Sequence, residues 1–234
     1  MGPNLAILPE RRFSKKTLRG SRPGRSHGGD RSGGRQVLNS HGGLPGAGSG
    51  LEGSAVDIPL HAALVEVHEV GVLIRGQSGV GKSESALELV QRGHRLVADD
   101  VVRLEIFGAD SSEKFLMGRS PESIRHYMEL RGVGLLDIAQ LYGSSAVRDE
   151  ARVELICRLE PWMAGMEYER TGLERPREEV LGVKIPALTL PLRSTGGMAS
   201  LIEVAAMDHR SRSMGNNAAR QLDERLKESG TARA

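Results

Sequence analysis

The 234-residue chain carries 32 basic and 30 acidic residues, with 38% hydrophobic and only 3% aromatic residues. That length suits one domain with a sizeable core, and the formal charge of +2 argues, on average, against a strong polyanion binder. No apolar run approaches the roughly 18 residues of a membrane span and the N-terminus lacks an apolar signal core, so neither insertion nor Sec-type export is expected. The single cysteine, Cys157, excludes an internal disulfide and any multi-Cys metal site, and a reducing cytoplasm is the expected compartment.

Charge and glycine are unevenly placed. Residues 1–55 hold nine Arg/Lys against three Asp/Glu, and 13 of the 30 glycines. This stretch has too little apolar surface to offset its ordering entropy and is expected to be a disordered Gly/Arg-rich segment. Its arginines can meet phosphates, but no aromatics interleave for base stacking, so a nucleic-acid partner is not expected. The folded domain is expected over residues 56–234.

Within it, alternation over Ala62–Val67 and the apolar run Val72-Leu73-Ile74 predict strands. Ser83–Gln91 has helical apolar spacing at Ala86, Leu87, Leu89 and Val90, closed by Gly93. Leu96–Ala98 and Val101–Phe107 return to strand character. Pro121–Leu130 is predicted to be a helix, with Ser120 as its cap and Pro121 in its first turn. Val153–Leu159 is another strand, Val180–Leu192 a hairpin or meander broken at Pro186 and Pro191, and Arg220–Leu226 a charged terminal helix. The pattern is α/β.

Between the second strand and the first helix lies Gly76-Gln77-Ser78-Gly79-Val80-Gly81-Lys82-Ser83, which fits G-x-x-x-x-G-K-[ST] in the strand-loop-helix context the motif requires. Glycines let successive amides converge on phosphate oxygens, and the helix N-terminus adds a favourable field. Lys82 would reach the β- and γ-phosphates of ATP, and the Ser83 hydroxyl would ligate Mg²⁺. The motif names a nucleotide and not a reaction. Asp99 and Asp100 end the next strand, where a carboxylate can hold Mg²⁺ or accept a proton from an attacking hydroxyl; a turn-forming pair is the alternative, and the nearby P-loop favours the functional reading. His61 opens the first strand and, taken alone, says little. Glu129 and Arg131 precede a Gly-x-Gly turn, and their spacing allows an exposed ion pair.

Together these pieces resemble the catalytic domain of the HPr kinase/phosphorylase family. The resemblance rests on Val70–Asp100, Ser120–His126, Glu129–Asp137, Tyr168–Leu173, Ile202–Met207 and Met214–Ala218. It implies an α/β fold, a P-loop nucleotide-binding domain with a mixed central sheet flanked by helices. It implies ATP- and Mg²⁺-dependent phosphorylation of a serine on the phosphocarrier HPr, and reversal by inorganic phosphate to give pyrophosphate, in the control of carbon metabolism. By resemblance His61, Lys82, Asp100 and Arg170 are catalytic, with Asp100 exchanging the seryl proton. Gly76 to Ser83 bind the nucleotide, and Ser83 and Glu129 ligate Mg²⁺. A homo-oligomer, a hexamer in the family, is implied as well.

Two departures stand out. The family's long form has a separate N-terminal domain where this chain has its Gly/Arg-rich segment. In the loop Pro191–Gly197, Arg193 is kept, but Gly196 replaces the second arginine of a family loop tied to dephosphorylation. Two other readings use the same P-loop: an ATP-sensing regulator without phosphoryl transfer, and a kinase of a small metabolite.

Overall fold

The computed structural model describes residues 54–108, 114–163, 165–169, 172–192 and 197–231. The expectation for residues 1–55 lies outside them except at Ser54 and Ala55, which already belong to the first strand. The elements in order are β1 (Ser54–His61), β2 (Ala63–Val67), β3 (Val70–Gly76), α1 (Lys82–Gln91), β4 (Arg95–Ala98), β5 (Val101–Phe107) and β6 (Phe115–Arg119). Then come β7 (Tyr127–Leu130), β8 (Gly134–Asp137), α2 (Ile138–Tyr142), β9 (Glu150–Pro161), β10 (Arg177–Val180), β11 (Val183–Leu192), α3 (Met198–Ser213) and α4 (Ala218–Thr231). No helix among the described residues is long and apolar enough to cross a membrane.

The main sheet is mixed and runs β1-β5-β6-β9-β3-β2-β4, with β11 added to β9 and β10 to β11. The long β9 changes neighbours along its length. Its first residues pair antiparallel with β6, and its later ones lie between β3 and β11, parallel to both. The C-terminal ends of β3, β9 and β11 therefore emerge together, the edge at which open α/β sheets receive ligands.

Successive side chains of a strand point to opposite faces, and here both faces are covered. Val72, Ile74, Leu155, Cys157 and Leu159 join Ala86, Leu89 and Val90 of α1 and Ile202 and Ala206 of α3 in one core. Leu64, Leu73, Val97 and Ile156 face the other way, onto Val102, Leu104 and Leu116. Burial on both sides is why Val70–Ile74 of β3 and Leu155-Ile156-Cys157 of β9 read as continuous apolar runs. Cys157 is fully buried and its thiol is pushed up to about 12 by that burial, so it packs as a small hydrophobe.

α1 closes as its sequence predicts. Gly93, at φ 94°, donates to Val90 O and the His94 amide to Leu89 O, the paired bonds of a Schellman motif.

Four expectations need correction. Pro121–Leu130 is not a helix: one 3-10 turn, Glu122–Ile124, is followed by strand β7. His126 at φ 67° ends the turn, and from Tyr127 exposed and buried residues alternate against β8. Pro186 and Pro191 do not break β11. Pro186 pairs with Arg177 at the end of the β10 ladder, and Ala187 begins the pairing with β9, so the proline sits where the strand changes partner. His61 closes β1 and does not open a strand. Finally, α3 was not among the predicted elements, and α4 extends beyond Arg220–Leu226 at both ends.

Candidate active site

β3 runs into the P-loop at Gly76. A Cβ there would lie 2.6 Å from Leu159 O and 2.8 Å from Val80 Cγ1, so only glycine lets the loop leave between β9 and its own return. Val80 N donates to Gln77 O at 3.3 Å and closes the turn. Gly81 is the N-cap of α1 and offers no side chain to cap it, so the first-turn amides face the loop mouth as an anion cradle.

Lys82 is buried, and its Nζ donates to Gly76 O and Gln77 O, both at 3.1 Å. Burial holds its pKa below the ordinary lysine value, with the charges of Asp99 and Asp100 opposing the shift. The third contact of Nζ is His61 Nε2 at 3.1 Å. His61 Nδ1 lies 2.8 Å from Asp100 Oδ1 and 3.1 Å from Asp100 O. Ammonium must donate and carboxylate must accept, so the network assigns the proton to Nδ1 and leaves Nε2 accepting from Lys82. The β1–β5 register, with His61 opposite Val101, sets the imidazole beside Asp100. Asp100 has φ 64°, and Val101 N donates across it to Asp99 O at 2.8 Å. Such a tight three-residue turn on a non-glycine residue is strained, and strain of this kind clusters at functional sites.

Asp99 faces inward. It is 4% exposed, its Oδ1 accepts from Ser83 Oγ at 2.9 Å, and its Oδ2 is buried without a hydrogen-bond partner among the described residues. Burial pushes its carboxyl up to about 6, against the Ser83 hydroxyl and the backbone amides of Glu129 and Asp100, which favour the anion. The sequence offered two adjacent carboxylates without separating their surroundings. The Ser83 contact is what distinguishes Asp99.

Glu129 lies on β7 with an exposed side chain, its main chain against Asp99. Arg131 Nη2 donates to Ser78 Oγ at 3.0 Å, laying the guanidinium along the P-loop. Arg170 and the altered stretch at residues 193–196 lie outside the described residues.

Beside the loop opens a cavity of about 450 Å³, lined by His61, Arg75, Gly76, Gln77, Arg158 and Leu159 among others. Arg75 and Arg158 are register neighbours on β3 and β9, and Glu178 bridges them, with Arg158 Nη2 2.6 Å from its Oε2. The sequence reading did not single out these arginines. Their signal was an arginine directly after the apolar run of each strand, Val72-Leu73-Ile74 in β3 and Leu155-Ile156-Cys157 in β9.

Residues 53–226 match the HPr Serine kinase C-terminal domain. The chain belongs to that family. It is 50% identical to the HPr kinase/phosphorylase of Caldicellulosiruptor bescii over 169 residues, covering 72% of this chain and 53% of that protein. It is 46% identical to the Bacillus cereus HPr kinase/phosphorylase over 177 residues, covering 75% and 56%. The chain thus spans about half the length of the curated relatives it matches. Among solved structures it resembles the Hpr(Ser) kinase/phosphatase from Coxiella burnetii, with TM-score 0.59 and 30% identity over 67% of this chain and 99% of that one. The α/β P-loop fold expected from the HPr kinase resemblance is thereby borne out.

Proposed function

We propose that this chain is an ATP- and Mg²⁺-dependent kinase that phosphorylates a seryl hydroxyl of HPr, and that the same site runs the reaction back with inorganic phosphate to give pyrophosphate. One observation carries the reading: Asp100 stands exposed beside the P-loop with its carboxylate held by His61 at 2.8 Å. A protein that only senses ATP has no use for an oriented base.

The P-loop amides from Gly76 to Ser83 cradle the phosphates, and Lys82 exchanges its contacts with Gly76 O and Gln77 O for phosphate oxygens. As the seryl Oγ bonds to the γ-phosphorus and the bond to ADP breaks, the seryl proton passes to Asp100. In reverse, phosphate attacks the phosphoseryl phosphorus, and Asp100 returns the proton to the departing seryl oxygen. His61 positions Asp100 by donating from Nδ1, and Arg170 is a further cation for the transferring group.

The residues fit a hard cation: the unpartnered Asp99 Oδ2 beside the Ser83 hydroxyl is an oxygen donor set, and Glu129 adjoins it. Ser83, Glu129 and Asp99 would hold Mg²⁺, which when bound neutralises phosphate charge. Residues 56–234 form the catalytic domain, assembled as a homo-oligomer, a hexamer by family resemblance, and acting in the cytoplasm in the control of sugar uptake and carbon metabolism.

The test is incubation with Mg-ATP and HPr, followed by excess phosphate. Phosphoserine should form, then fall as pyrophosphate is released. Phosphoserine that persists removes the reverse half of the proposal. Failure to form any, with ATP bound, overturns it in favour of a regulator or a metabolite kinase.

A further inference from the structure

At the far end of α1 from the P-loop, three ligand-type side chains converge from three separate elements. His68 lies in the turn between β2 and β3, His94 ends the Schellman motif that closes α1, and Glu203 lies on α3. His94 Nε2 is 3.1 Å from Glu203 Oε1, and His68 Nε2 is 3.5 Å from the same oxygen. All three ligand atoms lie within 4.8 Å of one another. The imidazoles meet edge to face, with centroids 4.7 Å apart.

Zinc bonds of about 2.0–2.2 Å to nitrogen and oxygen separate tetrahedral ligand atoms by roughly 3.3–3.5 Å. The two edges at Glu203, 3.1 and 3.5 Å, lie within about 0.2 Å of that range, and the third is no longer than 4.8 Å. A plain hydrogen bond from His94 to Glu203 accounts for two of the residues, and His68 brings a second imidazole nitrogen to the same oxygen at 3.5 Å. His68 and Glu69 fill both central positions of a two-residue hairpin turn at φ 49° and 68°, where Asn-Gly is the favoured pair. That turn is fastened to α3: Arg210 donates to His68 O at 3.2 Å and pairs with Glu69 at 2.9 Å. Arg92 occupies Glu203 Oε2 at 2.9 Å, which leaves Oε1 for the two imidazoles. The donors are thus held in place from both sides.

We propose that His68, His94 and Glu203 bind a zinc-class divalent ion through three protein ligands with a fourth position open, tying the β2–β3 turn and α3 to the end of α1. Two imidazoles and one carboxylate suit zinc, whereas magnesium prefers oxygen donors. The nine-residue separation of Lys82 and Gln91 puts this end about 14 Å along the helix from the P-loop, so the ion would act on stability and not as a participant in phosphoryl transfer. The proposal does not depend on the kinase reading.

The test uses the full chain stripped with chelator, kept in saturating Mg²⁺ and titrated with Zn²⁺ or Co²⁺. His68→Asn is the informative variant, because asparagine is at home at positive φ and keeps the turn. The parent should bind one equivalent of Zn²⁺ more than His68→Asn, and should give visible bands of four-coordinate Co²⁺ that the variant lacks. Zn²⁺ at about a hundred times its Kd should raise the parent Tm by about 5 °C or more, with no rise in the variant. Glu203→Gln, which keeps an acceptor for Arg92, should lose the bands as well. Equal stoichiometry in parent and His68→Asn, no bands in the parent, or bands that survive in either variant would overturn the site.

Discussion

Asp99 and Asp100 are neighbours in sequence, and the two sides of the β4–β5 junction that they face could hardly be more different. The inner side is closed. Asp99 is 4% exposed, carries an unpartnered oxygen, and has a carboxyl pushed up to about 6 by burial. The outer side is open, with the Asp100 side chain 59% exposed and steadied by His61. A buried, under-satisfied carboxylate gains most from a cation placed against it. An exposed carboxylate aimed by a neutral donor is suited to exchanging protons with a substrate. One dipeptide thereby offers two chemistries, and the left-handed turn at Asp100 is what sends the two side chains apart.

The largest effect expected on this contrast is at the outer side. Asp100→Asn should lower phosphoryl transfer to HPr by about 10²–10⁴-fold while ATP affinity stays near the parent's, as single-turnover rates and equilibrium binding would show. Loss of ATP binding in that variant would place Asp100 with the nucleotide and break the contrast. Lys82 joins the P-loop carbonyls to His61, so Lys82→Met should cost about 10²–10³-fold in transfer and weaken ATP binding too.

A smaller effect sharpens the inner side. The raised carboxyl of Asp99 means that the folded chain holds its proton more tightly than the unfolded chain, whose carboxyl titrates at its ordinary 3.8. The cost of the buried charge is therefore absent below about pH 4, grows as pH rises, and is complete above about pH 6. Asp99→Asn should stabilise the chelator-treated protein by about 3 kcal/mol at pH 8 and leave its stability at pH 4 unchanged, read as a difference in Tm between the two pH values. An equal effect at both would mean that the carboxylate is not desolvated. The smallest effect belongs to Arg131→Ala, which loses one partly exposed hydrogen bond to Ser78 and should raise the KM for ATP by no more than about tenfold with Tm unchanged.

Much of this could be read from the residues because local rules and tertiary demands agree. The P-loop glycines, the apolar strand before them and the Gly93 stop are each dictated by backbone geometry within a few residues, and the structure keeps all three. The Ser120-Pro121 start signal yields only one 3-10 turn, whose N-cap is Pro121 with no side-chain cap bond. The strand that follows is held by pairing with β8, a demand no local pattern displays. α3 escaped because its buried stripe of Met198, Ala199, Ile202, Ala205 and Ala206 is built largely from alanine, which gives little hydrophobic contrast. Within the site, Lys82, Ser83, Asp100 and His61 do converge. The sequence could not display the burial that separates Asp99 from Asp100, because that depends on β7 closing over one of them.

The most direct test of this division is a Mg²⁺ titration of the single-turnover rate of HPr phosphorylation in the two asparagine variants side by side. Asp99→Asn should move half-saturation to at least about tenfold higher Mg²⁺ and recover much of the rate when Mg²⁺ is in excess. Asp100→Asn should keep the parent's half-saturation and reach a plateau at least about 10²-fold lower at any concentration. A plateau loss in Asp99→Asn that Mg²⁺ does not relieve, together with Mg²⁺ rescue of Asp100→Asn, would reverse the roles assigned to the two carboxylates.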